Sequence, residues 1–456
     1  MSSLAHPVQA AESLAAAGVQ PAARKGRSID RLARWLGGHA ERWYLLYLML
    51  IMSGAALSPP SVNTAPATIG GGPDSLTDSI FVFLYLILAA LLMMRLKGVV
   101  RAALAHWWTI LLVLTVAASV LWSQDPQITI RRTIAILVTC SVGWYLVARY
   151  PPREIFQLLA ITLVFTALLS AFYGTLDPGV ASGIAWQGVY EHKNVFARSM
   201  VLSATTCLLL LLEPTRWRWL LWTGFALSCA MVGLSQSATG VIALVVLIVL
   251  VRFSGSLRLR ATILIPLLIG CALLLVGGVA WLQQHAADLA AQVGKDTTLT
   301  GRTELWAVAI MMIQRHPWLG YGFGGFWRGP IGDSGEFWRA VRWEAPHAHN
   351  GFIDLTLDLG LVGLAIFVAG LAIALVAAVS RARSARTTSA VAPLVVLAFI
   401  ALYNLTESSV LRHNTLYLVL FAAATSMARG GGERGVDRPG NQRERHRATY
   451  RLRPGS

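Results

Sequence analysis

Charge is scarce in this chain: Asp, Glu, Lys and Arg make up 13% of its 456 residues, whereas 55% are hydrophobic. An ordinary soluble domain carries about a quarter charged residues, so this composition excludes one and marks a polytopic membrane protein. Cysteine is scarce too. Cys140, Cys207, Cys229 and Cys271 lie inside apolar runs without paired spacing, which points to small buried hydrophobes rather than disulfides or thiolate ligands. Acidic residues number 22 against 38 Lys plus Arg, for a formal charge of +16, and the tails at residues 1–42 and 429–456 supply half of that excess. Rich in Ala, Gly, Arg and Pro, both tails are expected to be disordered and to meet anionic lipid. Nucleic acid is not an expected partner, because no basic module interleaved with aromatics is present. Nor is a cleavable signal peptide expected. The first apolar run begins near Trp43, behind a basic stretch too long for one, and should remain as an anchor.

A spanning helix needs roughly 20 mostly apolar residues, and about twelve stretches qualify. They centre on residues 43–58, 80–96, 107–122, 133–149, 155–174, 195–212, 219–235, 239–252, 261–282, 351–379, 390–405 and 414–428, with the pair around Gly233 to Gly240 open to being one broken span. The expected fold is therefore all-α: transmembrane helices over 43–282 and 351–428, flanked by the two tails, with one large periplasmic loop, 283–350, containing short helices. Lys and Arg set the orientation, since short loops rich in them stay in the cytoplasm. Arg95, Lys97 and Arg101, then Arg149 and Arg153, Arg216 and Arg218, Arg252, Arg258 and Arg260, and Arg381, Arg383 and Arg386 fall on alternate hairpins. The loop 283–350 balances six basic against six acidic residues. Both termini are thus expected in the cytoplasm of a multi-pass inner-membrane protein.

Three outward segments carry polar residues that a lipid-facing chain does not need. In "AWQGVYEHKNVFARSM", residues 185–200, Lys193 and Arg198 offer two cations beside Asn194 at the start of a span. They read either as interfacial side chains reaching for headgroups or as a clamp for an anionic lipid head. In "LTGRTELWAVAIMMIQRHPWLGYGFGGFW", residues 299–327, Leu305, Trp306, Ala309, Met312 and Ile313 repeat at helical spacing, Thr300 or Gly301 caps the helix and Pro317 ends it. Arg302 then sits in the first turn, where the exposed N–H groups already favour an anion, and its guanidinium fork suits a phosphate; Glu304 and Glu344 are alternative structural partners. The glycines that follow, Gly320, Gly322, Gly324 and Gly325, follow a helix instead of opening one, so they read as a turn and not a phosphate loop.

The third segment is "EAPHAHNGFIDLTLDLGLVG", residues 344–363, which sets His347, His349 and Asn350 at the mouth of a span. The two histidines have a metal-like spacing, but no Cys, third His or compact carboxylate set nearby completes a ligand shell. A structural pair and acid–base work are the other readings. Asp354 and Asp358, four residues apart on one helical face, are expected to orient the His and Arg groups.

Together these residues carry a resemblance. Gly301, Arg302 and Trp306, then Pro317, Gly320 and Gly322, then His349 and Asn350, then Asp358, Gly360 and Gly363 resemble the O-antigen ligase and polysaccharide polymerase superfamily over roughly residues 110–425. Asp358 stands where Glu is more usual. "GVYEHKNVFAR" looks most like the exopolysaccharide-polymerising branch. The resemblance implies a metal-independent, inverting glycosyltransferase without cofactor. It would act on a polyprenyl-diphosphate-linked oligosaccharide donor and a glycan acceptor at the periplasmic face, with a chain-length regulator or export machinery as further partners. On that view His349 is the general base with His347 as a second candidate, Arg302, Lys193 and Arg198 hold the diphosphate, and Asn350 and Asp358 steady the imidazole. A ligase transferring the glycan to lipid A core, and a secondary transporter, are the alternatives; no internal repeat of the transporter kind is evident.

Overall fold

A computed structural model describes residues 38–55, 75–176, 185–258, 300–409 and 411–430. The expected span at 261–282 with Cys271, the loop's first part (283–299) and most of both tails lie outside them. The chain divides into a unit ending at Met49, which contributes a helical stretch from residue 38, and a second unit from Leu50 onward. All that follows concerns the second.

Its helices are α1 (Ser75–Met94), α2 (Leu96–Ala105), α3 (Trp107–Ala118), α4 (Pro126–Arg149), α5 (Pro152–Leu176), α6 (Lys193–Leu210), α7 (Arg218–Leu234), α8 (Ala238–Arg252), α9 (Thr300–Arg315), α10 (Gly332–Val341), α11 (Gly351–Ser384), α12 (Thr388–Asn404) and α13 (Leu416–Ala428). No strand occurs among the described residues. α4, α5 and α11 are long and apolar enough to cross a bilayer, and α1 with α2, bent by 92°, would make a fourth span. α3, α7, α8, α12 and α13 are apolar but shorter. At 1.5 Å per residue, the 15 residues of α8 reach only ~22 Å, against a hydrocarbon core of about 30 Å. The structure therefore supports a helical membrane protein without establishing twelve complete spans.

The core forms where helices are apolar all round. Nearly every residue of α6, α12 and α13 is buried, as a helix without a polar face must be. Small residues bring the backbones close: a Cβ on Gly143 of α4 would lie 2.4 Å from the Val419 carbonyl oxygen of α13. Some polar groups between helices are paired, Ser199 Oγ with Tyr417 Oη at 2.8 Å and Ser228 Oγ with Ser203 Oγ at 2.8 Å. Small residues at the contact and hydroxyls bonded across helices are features of helix packing in lipid.

Helix α11 is broken at Gly360, whose φ of 65° and ψ of −169° are not helical. The break frees backbone groups, and the turn after α9 takes them up: Leu361 N–H donates to Pro317 O at 2.8 Å, Val362 N–H to Trp318 O at 3.2 Å, and Tyr321 N–H to Leu357 O at 2.8 Å. Space is as tight as the hydrogen bonding is specific. A Cβ on Gly360 would meet the Trp318 carbonyl carbon at 2.2 Å, and one on Gly320 (φ 65°) the Leu357 oxygen at 2.5 Å. The Pro-x-x-Gly turn and the acidic-x-Gly motif are thus two halves of one joint.

Candidate functional site

His347 and His349 lie between α10 and α11, and long side chains from three directions hold that backbone. Trp306 Nε1 of α9 donates to Ala348 O at 2.9 Å, and Trp338 Nε1 of α10 to Ala345 O at 2.8 Å. Asp354, in the first turn of α11, accepts from the Ala348 N–H at 3.0 Å, from Trp327 Nε1 at 2.9 Å and from Ser408 Oγ. Asn350 caps α11, its Oδ1 accepting from the Phe352 and Ile353 N–H groups as such a residue should. Beneath this lies an apolar body of Leu305, Met312, Tyr321, Phe326 and Phe337, with edge-to-face rings.

So fixed, His349 adopts φ 51°, a left-handed conformation uncommon for a side chain with a Cβ. Such strain costs on the order of 1 kcal/mol or more and persists only where the surroundings over-determine it. Its N–H donates to His347 Nδ1 at 3.1 Å, the two rings are 4.1 Å apart, and Trp343 stacks on the His349 ring. Burial, then the charges of Arg412, His349, Arg198 and His192, hold His347 well below the usual imidazole range. His347 is neutral at pH 7, and with Nδ1 occupied as acceptor its ring proton is on Nε2.

The centre of the site is a residue the sequence reading did not single out. Glu407, between α12 and α13, has Oε2 3.4 Å from His349 Nδ1, and Oε1 2.7 Å from Asn194 Nδ2 and 3.4 Å from Arg302 Nη2. Burial pushes its carboxyl up, but His349, Arg302 and Arg198 outweigh that and hold it below the ordinary value, so it is ionised at neutral pH. Asn194 Oδ1 accepts in turn from Ser237 Oγ at 3.2 Å. Ser237 caps α8, His192 caps α6, Asn350 caps α11, and Arg302 is in the first turn of α9. Four helices therefore begin around one carboxylate, and their positive ends favour an anion there.

More cations stand close by. Arg198, one turn beyond Asn194, lays its guanidinium 4.0 Å from the centre of the Tyr417 ring, and its buried Nε has no hydrogen-bond partner among the described residues. Arg412 keeps solvent access within reach of the charges of Arg198, Arg132, Glu407 and Asp354.

The structure thus brings His349, Arg302 and Asn194 together around Glu407, with His347, Asn350 and Arg198 adjoining. It does not bring Lys193, which is exposed on the other side of α6. Five residues separate Lys193 from Arg198, or roughly 140° around a helix, whereas Asn194 and Arg198 share a face. Nor does Asp358 steady the imidazole as expected. It accepts from the Gly324 N–H at 3.0 Å, while Arg132 Nη1 donates to Gly324 O at 3.4 Å, so Asp358 serves the turn below the site. Asn350 likewise spends its side chain on capping and on the Leu405 carbonyl.

One atom set matches a metal shell in outline: single donor atoms of His347, His349 and Glu407 lie within 4.8 Å of one another. Arg302, Arg198 and Arg412 surround that set, and like charges at this range work against a dication.

Asp354 supplies the first test of this construction. Asp354→Asn keeps the shape, and its oxygen can still accept from the Ala348 N–H and Trp327 Nε1 while its NH2 turns to Ser408 Oγ, but it removes the negative charge from the acceptor. Weakening these bonds from charged to neutral, about 1 kcal/mol each, should lower turnover roughly tenfold to a hundredfold with the protein level in membranes unchanged. Unaltered turnover would reduce Asp354 to packing.

Residues 223–368 match the family described as O-antigen ligase. That stretch contains Arg302, His349 and the Gly360 break, and leaves Asn194, Glu407 and Arg412 on either side of it. The chain is also 28% identical over 283 residues to the exopolysaccharide production protein ExoQ of Rhizobium meliloti strain 1021, across 57% of this chain and 62% of that protein's length. Motifs, family match and relative all place this chain's likeness in the O-antigen ligase and polysaccharide polymerase superfamily.

Proposed function

We propose that this protein is a glycosyltransferase that polymerises polyprenyl-diphosphate-linked repeat units into an exopolysaccharide at the outer face of the inner membrane. The observation that carries the reading is the ionised Glu407 joining His349, Arg302 and Asn194 where four helices begin. Such a site has a base with its orienting carboxylate, and positive groups for a leaving diphosphate.

The Glu407 carboxylate draws the His349 proton to Nδ1 and leaves the Nε2 lone pair for an acceptor hydroxyl. As that oxygen attacks the anomeric carbon, its proton passes to Nε2. The bond from the anomeric carbon to the diphosphate oxygen breaks on the opposite face, and the lipid diphosphate departs with the electron pair. One displacement inverts the configuration. Arg302, Arg198 and Arg412 meet the growing charge on the leaving group, the kind of preorganised stabilisation that dominates many such steps. His347, neutral and used as an acceptor, positions the His349 backbone. The diphosphate linkage supplies the driving force, so no nucleotide is needed outside the cytoplasm.

The polymerase branch is favoured over a ligase by the likeness to an exopolysaccharide production protein. Purified protein given only a lipid-diphosphate-linked repeat unit should produce a ladder of products on a gel, undiminished by a chelator. Product that appears only after lipid A core is added would make it a ligase. Loss with chelator and recovery with a divalent cation would put a metal on His347, His349 and Glu407.

A further inference from the structure

The molecule has a second cationic site, far from Glu407. Where α1 bends into α2, a cavity of about 480 Å³ is lined by Met93, Met94, Arg95, Lys97, Arg101 and Ala148, among others. All three cations are exposed, and none forms an ion pair or side-chain hydrogen bond among the described residues. Met93 and Met94, 72% and 81% exposed, and Leu96, 50% exposed, flank them. Cations that lack carboxylate partners beside a bare apolar wall match an amphiphile with an anionic head.

α4 fixes where this cavity lies. Its C-terminal residues Val147 and Ala148 form one wall, whereas Arg132, near its N-terminus, contacts Gly324 below the site. α4 has 24 residues and is long and apolar enough to cross a bilayer, about 36 Å at 1.5 Å each, with Arg132 in its N-terminal third and Val147 in its last turn. The cavity is therefore at the opposite membrane face, where short basic segments face the anionic inner leaflet.

We infer that the α1–α2 bend is a binding site for one anionic phospholipid of the inner leaflet. Its phosphodiester head rests among Arg95, Lys97 and Arg101, and its acyl chains lie along Met93, Met94 and Leu96. Filling it would tie the bend, and through α2 the end of α4, to the membrane surface.

Native mass spectrometry of the full-length protein in detergent, titrated with phosphatidylglycerol or phosphatidylcholine, tests this. Each cation near an anionic surface is worth roughly a fivefold change in affinity. Arg95→Gln/Lys97→Gln/Arg101→Gln should therefore weaken phosphatidylglycerol retention by a factor on the order of 100, to the phosphatidylcholine level. Arg216→Gln/Arg218→Gln, which removes an exposed pair on another hairpin, should leave it unchanged. Because the triple variant also alters topology signals, Met94→Glu is the second variant. It keeps all three cations, adds a repelling carboxylate at the exposed lip, and should lower phosphatidylglycerol retention while sparing phosphatidylcholine. Equal losses in the Arg216/Arg218 variant would mean general surface charge and overturn the site. So would wild-type retention in the triple variant, or displacement of the lipid by millimolar inorganic phosphate, which would show a free-phosphate site instead.

Discussion

His349→Ala should abolish glycan transfer, with a fall of about 10²–10⁴ in turnover and no loss of protein from the membrane fraction. The alanine removes the group facing Glu407 at 3.4 Å but none of the bonds that hold the loop, since those end on the Ala345 and Ala348 backbones and on Asp354. The left-handed φ of 51° remains a burden for alanine, so a second variant separates chemistry from folding. His349→Asn tolerates that conformation better, lacks a titratable ring, and should be as inactive as the alanine. If Asn restores transfer while Ala does not, His349 is a backbone element and the base lies elsewhere. A single-turnover assay with pre-bound donor is the decisive measurement, because it isolates the chemical step from donor capture.

Arg302→Ala should cost about 10²–10³ in turnover, the magnitude seen when one preorganised donor to developing charge is removed. Its guanidinium is 24% exposed and 3.4 Å from Glu407, a separation that leaves donors over for a ligand. Arg302→Lys keeps the charge but loses the planar fork, and should recover only part of the loss. Full recovery would reduce the role to a counter-charge for Glu407. Raising the donor concentration should rescue neither variant, since the contact strengthens only as the diphosphate leaves. Rescue by donor would show ground-state binding instead.

Much of this site was legible in the sequence because polar residues are conspicuous at the start of apolar runs. His349, Asn350, Arg302 and Asn194 stand out that way, and helical spacing found α9 with Trp306 on it. Glu407 and Arg412 did not stand out. They lie between α12 and α13 in "NLTESSVLRHNT", a mixed-charge connection that looks like any short hairpin, and nothing local says that it folds over the mouth of α11. A carboxylate in a short connection between apolar runs, opposite cations that lack local partners, was the available signal. Lys193 lies apart for another reason: a charge count ignores helical phase, and the residue beside it, Asn194, faces inward. Asp354 and Asp358 were recognised as a pair, but one turn of helix gives them separate duties, at the histidine loop and at the Gly324 turn.

The joint at Gly360 has a consequence for motion. The turn from Pro317 to Tyr321, although irregular, is secured by three backbone bonds to α11, so it does not depend on water to satisfy those groups. The amide protons of Tyr321, Leu361 and Val362 should exchange with deuterium as slowly as those in the buried helices, protected only by openings that approach global unfolding. Any rearrangement at the mouth of the site must therefore occur away from this turn.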